Sequence, residues 1–356
     1  MNHLFQDCQS RPGKRNNLMK WISLLKEQSG FKQSSVMLSK GIYAALASAF
    51  FLGFTPVFGK QAILFGVAPL AVVAIRTILA AVLLLVVMFL GYRRYLYIYP
   101  AGMLGCLIAG WVNGIGSLFY YSSLGRIDAS LGQLLYSLYP LFLVLWLSLD
   151  HQPPSRLTIL RLLLAIPAII LLVRVEGGKT DWIGVSFMLL ASALYALHLP
   201  INQRVLYDMP APTVTLYTLL SMSAIVVPVF LFSGSMVTPQ TSFGLSEAVS
   251  RAWLPLLGLT LVTFLSRLTL FTGVKHLGGM QTAFLGLSEL IVALLFSHLW
   301  LKESFTPAQW IGAGILMISL MLVAFEEPPP KKLSTGGFLS WLRPAGQTTE
   351  TWQPHD

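Results

Sequence analysis

Apolar residues run along this chain in stretches of about twenty, each broken by a short polar or glycine- and proline-containing interval. Runs of that length fit helices that cross a bilayer core of about 30 Å. The pattern predicts ten helices, at roughly 41–63, 69–90, 98–122, 127–149, 157–174, 182–203, 211–232, 252–274, 280–301 and 306–325. Connections such as RRYLYIY, DHQPPSR and KHLGG are short, so consecutive helices are expected to lie side by side and antiparallel. The longest connection, about 233–251, is rich in Ser, Gly and Thr and reads as an exposed loop.

The pattern repeats. ASAFFLGFTPVFGK (47–60) is echoed by ASALYALHLPINQR (191–204), each with a late proline and a closing cation. APLAVVAIRT (68–77) is answered by APTVTLYTLL (211–220), YYSSLGRI (120–127) by LFTGVKHL (270–277), and HQPPSRL (151–157) by SFTPAQW (304–310). Two five-helix units follow, 41–174 and 182–325, between a basic tail (1–40) and a disordered tail (326–356). Five is odd, so the second unit is expected to enter the membrane upside down. The predicted fold class is all-α: a polytopic membrane protein with ten transmembrane helices in two inverted five-helix repeats.

Composition agrees with lipid as the solvent. Of 356 residues 55% are hydrophobic and 11% charged, against about a quarter charged in soluble domains. The net charge of +10 does not point to nucleic acid, because the cations lie scattered over loops and tails. They set an orientation instead. Of 24 Lys and Arg, three (Arg76, Arg161, Arg267) fall inside spans. Six (Lys60, Arg126, Arg174, Lys179, Arg251, Lys302) fall in outer loops if the N-terminus is cytoplasmic, and the other fifteen are then cytoplasmic. Both termini are therefore expected in the cytoplasm. Cys8 and Cys106 lie in unlike surroundings, a polar tail and an apolar run, which argues against a disulfide or a cysteine-rich metal site. The first apolar run follows a long basic tail and recurs inside the chain, unlike a cleaved signal peptide. In the tail, NLMKWISLLKEQ (17–28) reads either as a helix lying on the inner membrane surface or as disordered chain.

Two stretches, DASLGQLLYSLYPLFLVLWLSLD (128–150) and MQTAFLGLSELIVALLFSHLWLKESFTPAQWIGAGILMISL (280–320), resemble the EamA-type branch of the drug/metabolite transporter superfamily. The likeness covers nearly all of 41–325. Leu290 stands where the family often has Pro after the helix-9 Glu, and Asp150 where a Glu often closes helix 4; Pro140 is kept. The resemblance implies a ten-helix secondary carrier, often an exporter of amino acids, other metabolites or toxic compounds, and a bacterial inner membrane as its location.

The residues themselves suggest where chemistry could sit. A charge at the centre of a span costs about 2.5–3.5 kcal/mol on insertion scales, and Arg267 and Glu289 lie at similar depth on either side of the KHLGG turn. Three readings stay open: a static ion pair, a substrate-contacting pair, or a proton-coupling Glu289. Their first-half counterparts are Ser117 and Tyr139. Asn113, Ser117 and Tyr121 recur every four residues in helix 3; Gln133, Tyr136, Ser137 and Pro140 share a face of helix 4; Tyr195, His198 and Asn202 share one of helix 6. These stripes are expected either to line a cavity or to bond helix to helix. The candidate substrate-binding set is Asn113, Ser117, Tyr121, Gln133, Tyr136, Tyr139, His198, Asn202, Arg267 and Glu289. Pro56 and Pro200 are candidate hinges, since a proline within a helix frees a carbonyl and bends it. Arg76 reads as snorkelling outward or pairing with Asp128, Arg161 as snorkelling and His298 as structural. Trp111 reads as a cavity floor or a lipid-interface anchor, and Gly110 and Gly114 as a close packing site.

No HExxH, GxSxG or P-loop occurs, and the six histidines are scattered. A membrane enzyme or a non-transporting scaffold is the alternative class. The expectation is a carrier without cofactor or metal, whose partners are a small-molecule substrate, membrane lipid and a proton or counter-substrate.

Overall fold

The computed structural model describes residues 39–149, 156–173, 181–206, 209–233, 245–286, 288–303 and 306–322. The two tails, Cys8, Asp150 and the loop residues 234–244 lie outside the described residues, and so does the side chain of Arg161.

The described residues are helical almost throughout. Ser39–Leu64 (α1), Pro69–Gly91 (α2), Pro100–Leu124 (α3), Ala129–Leu149 (α4) and Arg156–Val173 (α5) form the first half. Trp182–Val205 (α6), Ala211–Ser233 (α7), Leu245–Leu277 (α8), Gly279–Gly286 with Ser288–Leu301 (α9) and Pro307–Met321 (α10) form the second. Eight of them, all but α5 and α10, are long and apolar enough to cross a membrane. The expected count of ten spans is thus met by eight. α5 and α10 stand at the two remaining expected places and pack on each other. The predicted loop 233–251 is also shorter than expected, because α8 already begins at Leu245.

Starts and stops follow local chemistry. α2 and α3 begin with Pro69 and Pro100, where a missing N–H costs nothing. Asp181 caps α6, accepting from the Ile183 and Gly184 amides at 3.0 Å each. Gly278, at φ +86°, ends α8 and lets the chain turn straight into α9.

The halves interlock with matched contacts. α3 packs on α6 as α8 packs on α1; α2 on α8 as α7 on α3; α4 on α6 as α9 on α1. The counterparts α2 and α7, α4 and α9, and α5 and α10 pair with each other. Lys60, in the last turns of α1, donates to the Leu124 and Ile127 carbonyls (2.9 and 2.7 Å) just where α3 ends. Ser123, also at the end of α3, donates to the Gly184 carbonyl at the start of α6 (2.6 Å). The end of α1 and the beginning of α6 therefore meet at one end of the bundle, and these matching first helices run in opposite senses.

Close approach is bought with small residues. A Cβ on Gly110 would stand 2.5 Å from the Ser221 Cβ and 2.6 Å from the Thr218 carbonyl oxygen, so α3 and α7 touch backbone to backbone there. Gly53 holds α1 against α9 in the same way: a Cβ there would stand 2.8 Å from the Glu289 carbonyl oxygen. The periphery is apolar: Leu85, Phe89, Trp111, Leu163, Trp182, Phe232, Trp253 and Trp310 are among many large exposed hydrophobic side chains. Trp111 is thus on the outside of α3 and is not a cavity floor.

The two prolines differ. α1 is interrupted at Phe54 and restarts at Thr55, so Pro56 occupies the first turn of a new segment. α6 continues through Pro200 without interruption. The two candidate hinge prolines therefore stand in different settings, a break in α1 and an unbroken α6. A proline in a first turn interrupts no helical bond, whereas one in the middle must be tolerated by its surroundings.

Candidate functional site

Between the halves the helices enclose a polar chamber. Leu52 and Thr55 of α1, Arg76 of α2, Asn113, Gly116, Ser117 and Tyr120 of α3, and Gln133 and Tyr136 of α4 line it from the first half. Ala191 and Tyr195 of α6, Thr263, Ser266 and Arg267 of α8 and Glu289 of α9 line it from the second. The cavity among them is about 30 Å³, room for a water molecule or two as it stands.

The stripe spacing of α3 is what places its residues. Asn113 and Ser117 stand one turn apart and both face inward, while Gly116 lets α6 approach at Leu194. α4 is positioned by the Ser192 hydroxyl donating to the Tyr136 carbonyl (2.9 Å) and the Trp146 indole donating to the Ala193 carbonyl (3.0 Å). Its helix is interrupted at Ser137 and Leu138, just before Pro140, and the Ser137 hydroxyl turns back to the Leu134 carbonyl (2.7 Å) instead of lining the chamber.

Arg267 is 6% exposed and Glu289 1%, yet they form no ion pair. Arg267 donates to Asn113 Oδ1 (3.3 Å), meets His198 Nε2 (3.4 Å), and lies 5.7 Å from the Tyr195 ring centre. Glu289 accepts from Gln133 Nε2 (3.1 Å). The static-pair reading is therefore corrected: each charge has found a polar partner in the other half. The salt bridge between Arg126 and Asp181 (3.2 Å) lies outside the chamber. Asp181 has its carboxyl held below the usual carboxylate range, chiefly by the Gly184 amide and also by Arg126 and the Ile183 amide, against some burial.

The expectation for Arg76 is also corrected. It is 5% exposed, donates to Ser117 Oγ (3.2 Å) and Thr263 Oγ1 (3.3 Å), and lies 4.7 Å from the centre of the Tyr121 ring. It neither snorkels nor pairs with Asp128. Hydroxyls on α3 and α8 supply acceptors that a single helix could not.

Of the ten candidate binding residues, Asn113, Ser117, Gln133, Tyr136, Arg267 and Glu289 line the chamber. Tyr121 lies behind Arg76. Tyr139 packs on Tyr136 and Tyr195, and its hydroxyl donates to the Ala283 carbonyl (2.8 Å). His198 and Asn202 form a layer beneath: His198 bonds the Tyr195 carbonyl, and the Asn202 amide donates to the His198 carbonyl (3.0 Å). His298 bonds the Glu303 carbonyl (2.9 Å). The sequence reading missed Thr55, Tyr120, Thr263 and Ser266. A signal existed for the last two: Thr263, Ser266 and Arg267 fall at i, i+3 and i+4 and make a polar stripe on α8.

Four buried side-chain polar atoms of this region have no hydrogen-bond partner: Thr55 Oγ1, Arg76 Nε and the hydroxyls of Tyr120 and Tyr121. Unsatisfied groups are few in folded proteins, and each calls for a partner such as a water, an ion or a ligand. Among the described residues no group of His, Cys, Asp or Glu could hold a metal ion.

Comparisons with known proteins give the same architecture. Twenty-nine chains of known structure match. One of them, described only as "Crystal structure of protein", is 15% identical, covers 81% of this chain and 97% of its own, and superposes with a TM-score of 0.56. At that identity the likeness speaks for the fold alone. No curated protein matches in sequence. The EamA-like transporter family matches twice, over residues 39–174 and 182–325, and these two matches coincide with the two interlocked halves. Since they take in most of the chain, this multi-pass membrane protein belongs to the EamA-like transporter family.

Proposed function

We propose that the chain is a secondary carrier that moves a small metabolite, an amino acid or related compound, or a drug across the inner membrane by alternating access, in the direction of export. The observation that carries this reading is the chamber. It is lined by both halves, nine residues from the first and six from the second, is rich in polar and charged groups, and sits among apolar helices. Matching first helices of opposite sense support an inverted repeat, and such repeats commonly place their substrate site at the bilayer midplane between the halves. In this reading α5 and α10 complete ten spans, and both termini lie in the cytoplasm.

Rocking one half against the other would open the chamber to each side in turn. The interruption of α1 at Phe54 is the natural hinge, because Leu52 and Thr55 on either side of it both face the chamber. Pro200 would bend α6 at the matching place. A proton on Glu289 or an exchanged counter-substrate supplies the drive.

The test is counterflow in proteoliposomes holding the purified full-length protein, with labelled amino acids, organic acids and cationic drugs. Saturable accumulation of any of them supports the carrier. Silence across the panel from protein shown to be folded points to the enzyme or scaffold class.

A further inference from the structure

Two arginines enter the chamber from different halves. Arg76 binds Ser117 on α3 and Thr263 on α8. Arg267, four residues beyond Thr263 on α8, binds Asn113, four residues before Ser117 on α3. Four residues of helix rise about 6 Å. The two guanidinium groups therefore sit about one turn apart in the same cleft between α3 and α8.

All their hydrogen-bond partners are neutral: two hydroxyls, one amide oxygen and one imidazole. No carboxylate salt-bridges either of them. Arginine keeps its charge in proteins, so two like charges are held close together away from water. Counting Glu289 as ionised still leaves the lining with surplus positive charge. Arg76 Nε, in a side chain 95% buried, has no partner, and neither does the hydroxyl of Tyr120 beside it in the lining. Planar guanidinium forks match the oxygens of carboxylates and phosphates.

We infer that the chamber takes an organic anion, with its carboxylate or phosphate seated between Arg76 and Arg267. This rests on the carrier reading for the idea that the chamber holds cargo, and it narrows that cargo to molecules with an acidic group. The Tyr120, Tyr136 and Tyr195 rings offer apolar faces to the rest of such a molecule.

The experiment is direct binding to the purified full-length protein, followed by intrinsic fluorescence and thermal shift. The probes are succinate, benzoate, inorganic phosphate and glycerol phosphate, with tetraethylammonium as cationic control and glycerol as neutral control. At least one anion is expected to saturate the protein, and the two controls are not. Arg76→Gln and Arg267→Gln are each expected to weaken that anion about tenfold or more, as losing a charge-assisted hydrogen bond does. Arg76→Lys should fall between them and the wild type. The carboxylate and phosphate arms decide which acid group is preferred.

A wild-type measurement covers variants that do not fold. Bound anion should slow modification of Arg76 and Arg267 by phenylglyoxal, read by peptide mass spectrometry. Lack of saturation by every anion, binding unchanged in both glutamine variants, or lack of protection would each overturn the assignment. Arginine-dependent anion binding without counterflow would keep the anion seat and remove the carrier. Counterflow of cationic drugs untouched by anions would keep the carrier and remove the seat.

Discussion

Glu289 is a carboxylate 99% buried with a single hydrogen-bond donor, Gln133, from the opposite half. A group so placed is expensive in a membrane and is held by its surroundings. Glu289→Gln keeps the shape and can still bond Gln133, so the protein should fold normally. We expect counterflow to drop by about tenfold, the difference between a charged and a neutral hydrogen bond, with an unchanged size-exclusion profile. Transport at the wild-type rate with the wild-type pH profile would remove Glu289 from the cycle. Tyr139, its counterpart by repeat, has a different role: it is wedged among Tyr136, Tyr195 and the Ala283 carbonyl, and supports the lining from behind.

At the level of elements, helix contacts and caps set the local stability. Gly110→Leu places a side chain where the α7 backbone already stands, at a cost of about 1–3 kcal/mol. Thermal unfolding in detergent should show a clear drop. Gly91→Leu, with nothing within 4 Å of the added Cβ, should stay within about 0.5 kcal/mol. The cap of α6 adds a pH dependence. The folded Asp181 carboxyl titrates below its ordinary value, chiefly through the Gly184 amide. Its contribution is therefore present above the unfolded carboxylate range, about pH 4, and disappears as the pH falls through the lower folded value. Asp181→Asn keeps a capping oxygen without the charge. Acid titration of the unfolding midpoint should be flatter in that variant below about pH 4, and identical curves would contradict the assignment.

Across the whole molecule, side chains distant in sequence tie down the starts of α4 and α9, the first of them from the opposite half. Glu303, between α9 and α10, accepts the Ala129 and Ser130 amides (both 2.9 Å) and so caps α4 of the other half. Gln203 of α6 accepts the Gly279 amide (2.9 Å) at the start of α9. These are matched positions, the first turns of counterpart helices, and each is capped by a side chain from elsewhere in the fold. Glu303→Ala should cost about 0.5–2 kcal/mol, as lost caps do. It should also speed hydrogen exchange in the first turn of α4, measured by mass spectrometry on peptides covering 129–136. Exchange unchanged there would show that the tie does not hold the helix.

Eight of the spans, the duplication and the costly charges Arg267 and Glu289 were legible in the residues, because apolar length, helical periodicity and the cost of buried charge act locally along one chain. The α3 stripe could be read for the same reason: Asn113 and Ser117 repeat at the helical period, and both face inward. Periodicity says which side chains share a face and how deep they lie, but not which other helix that face will meet. The partners of the charges were therefore decided only by tertiary structure. Arg267 and Glu289 flank one turn, yet each bonds across to the opposite half, and Arg76 turns inward because α3 and α8 bring it hydroxyls from 41 and 187 residues away in sequence.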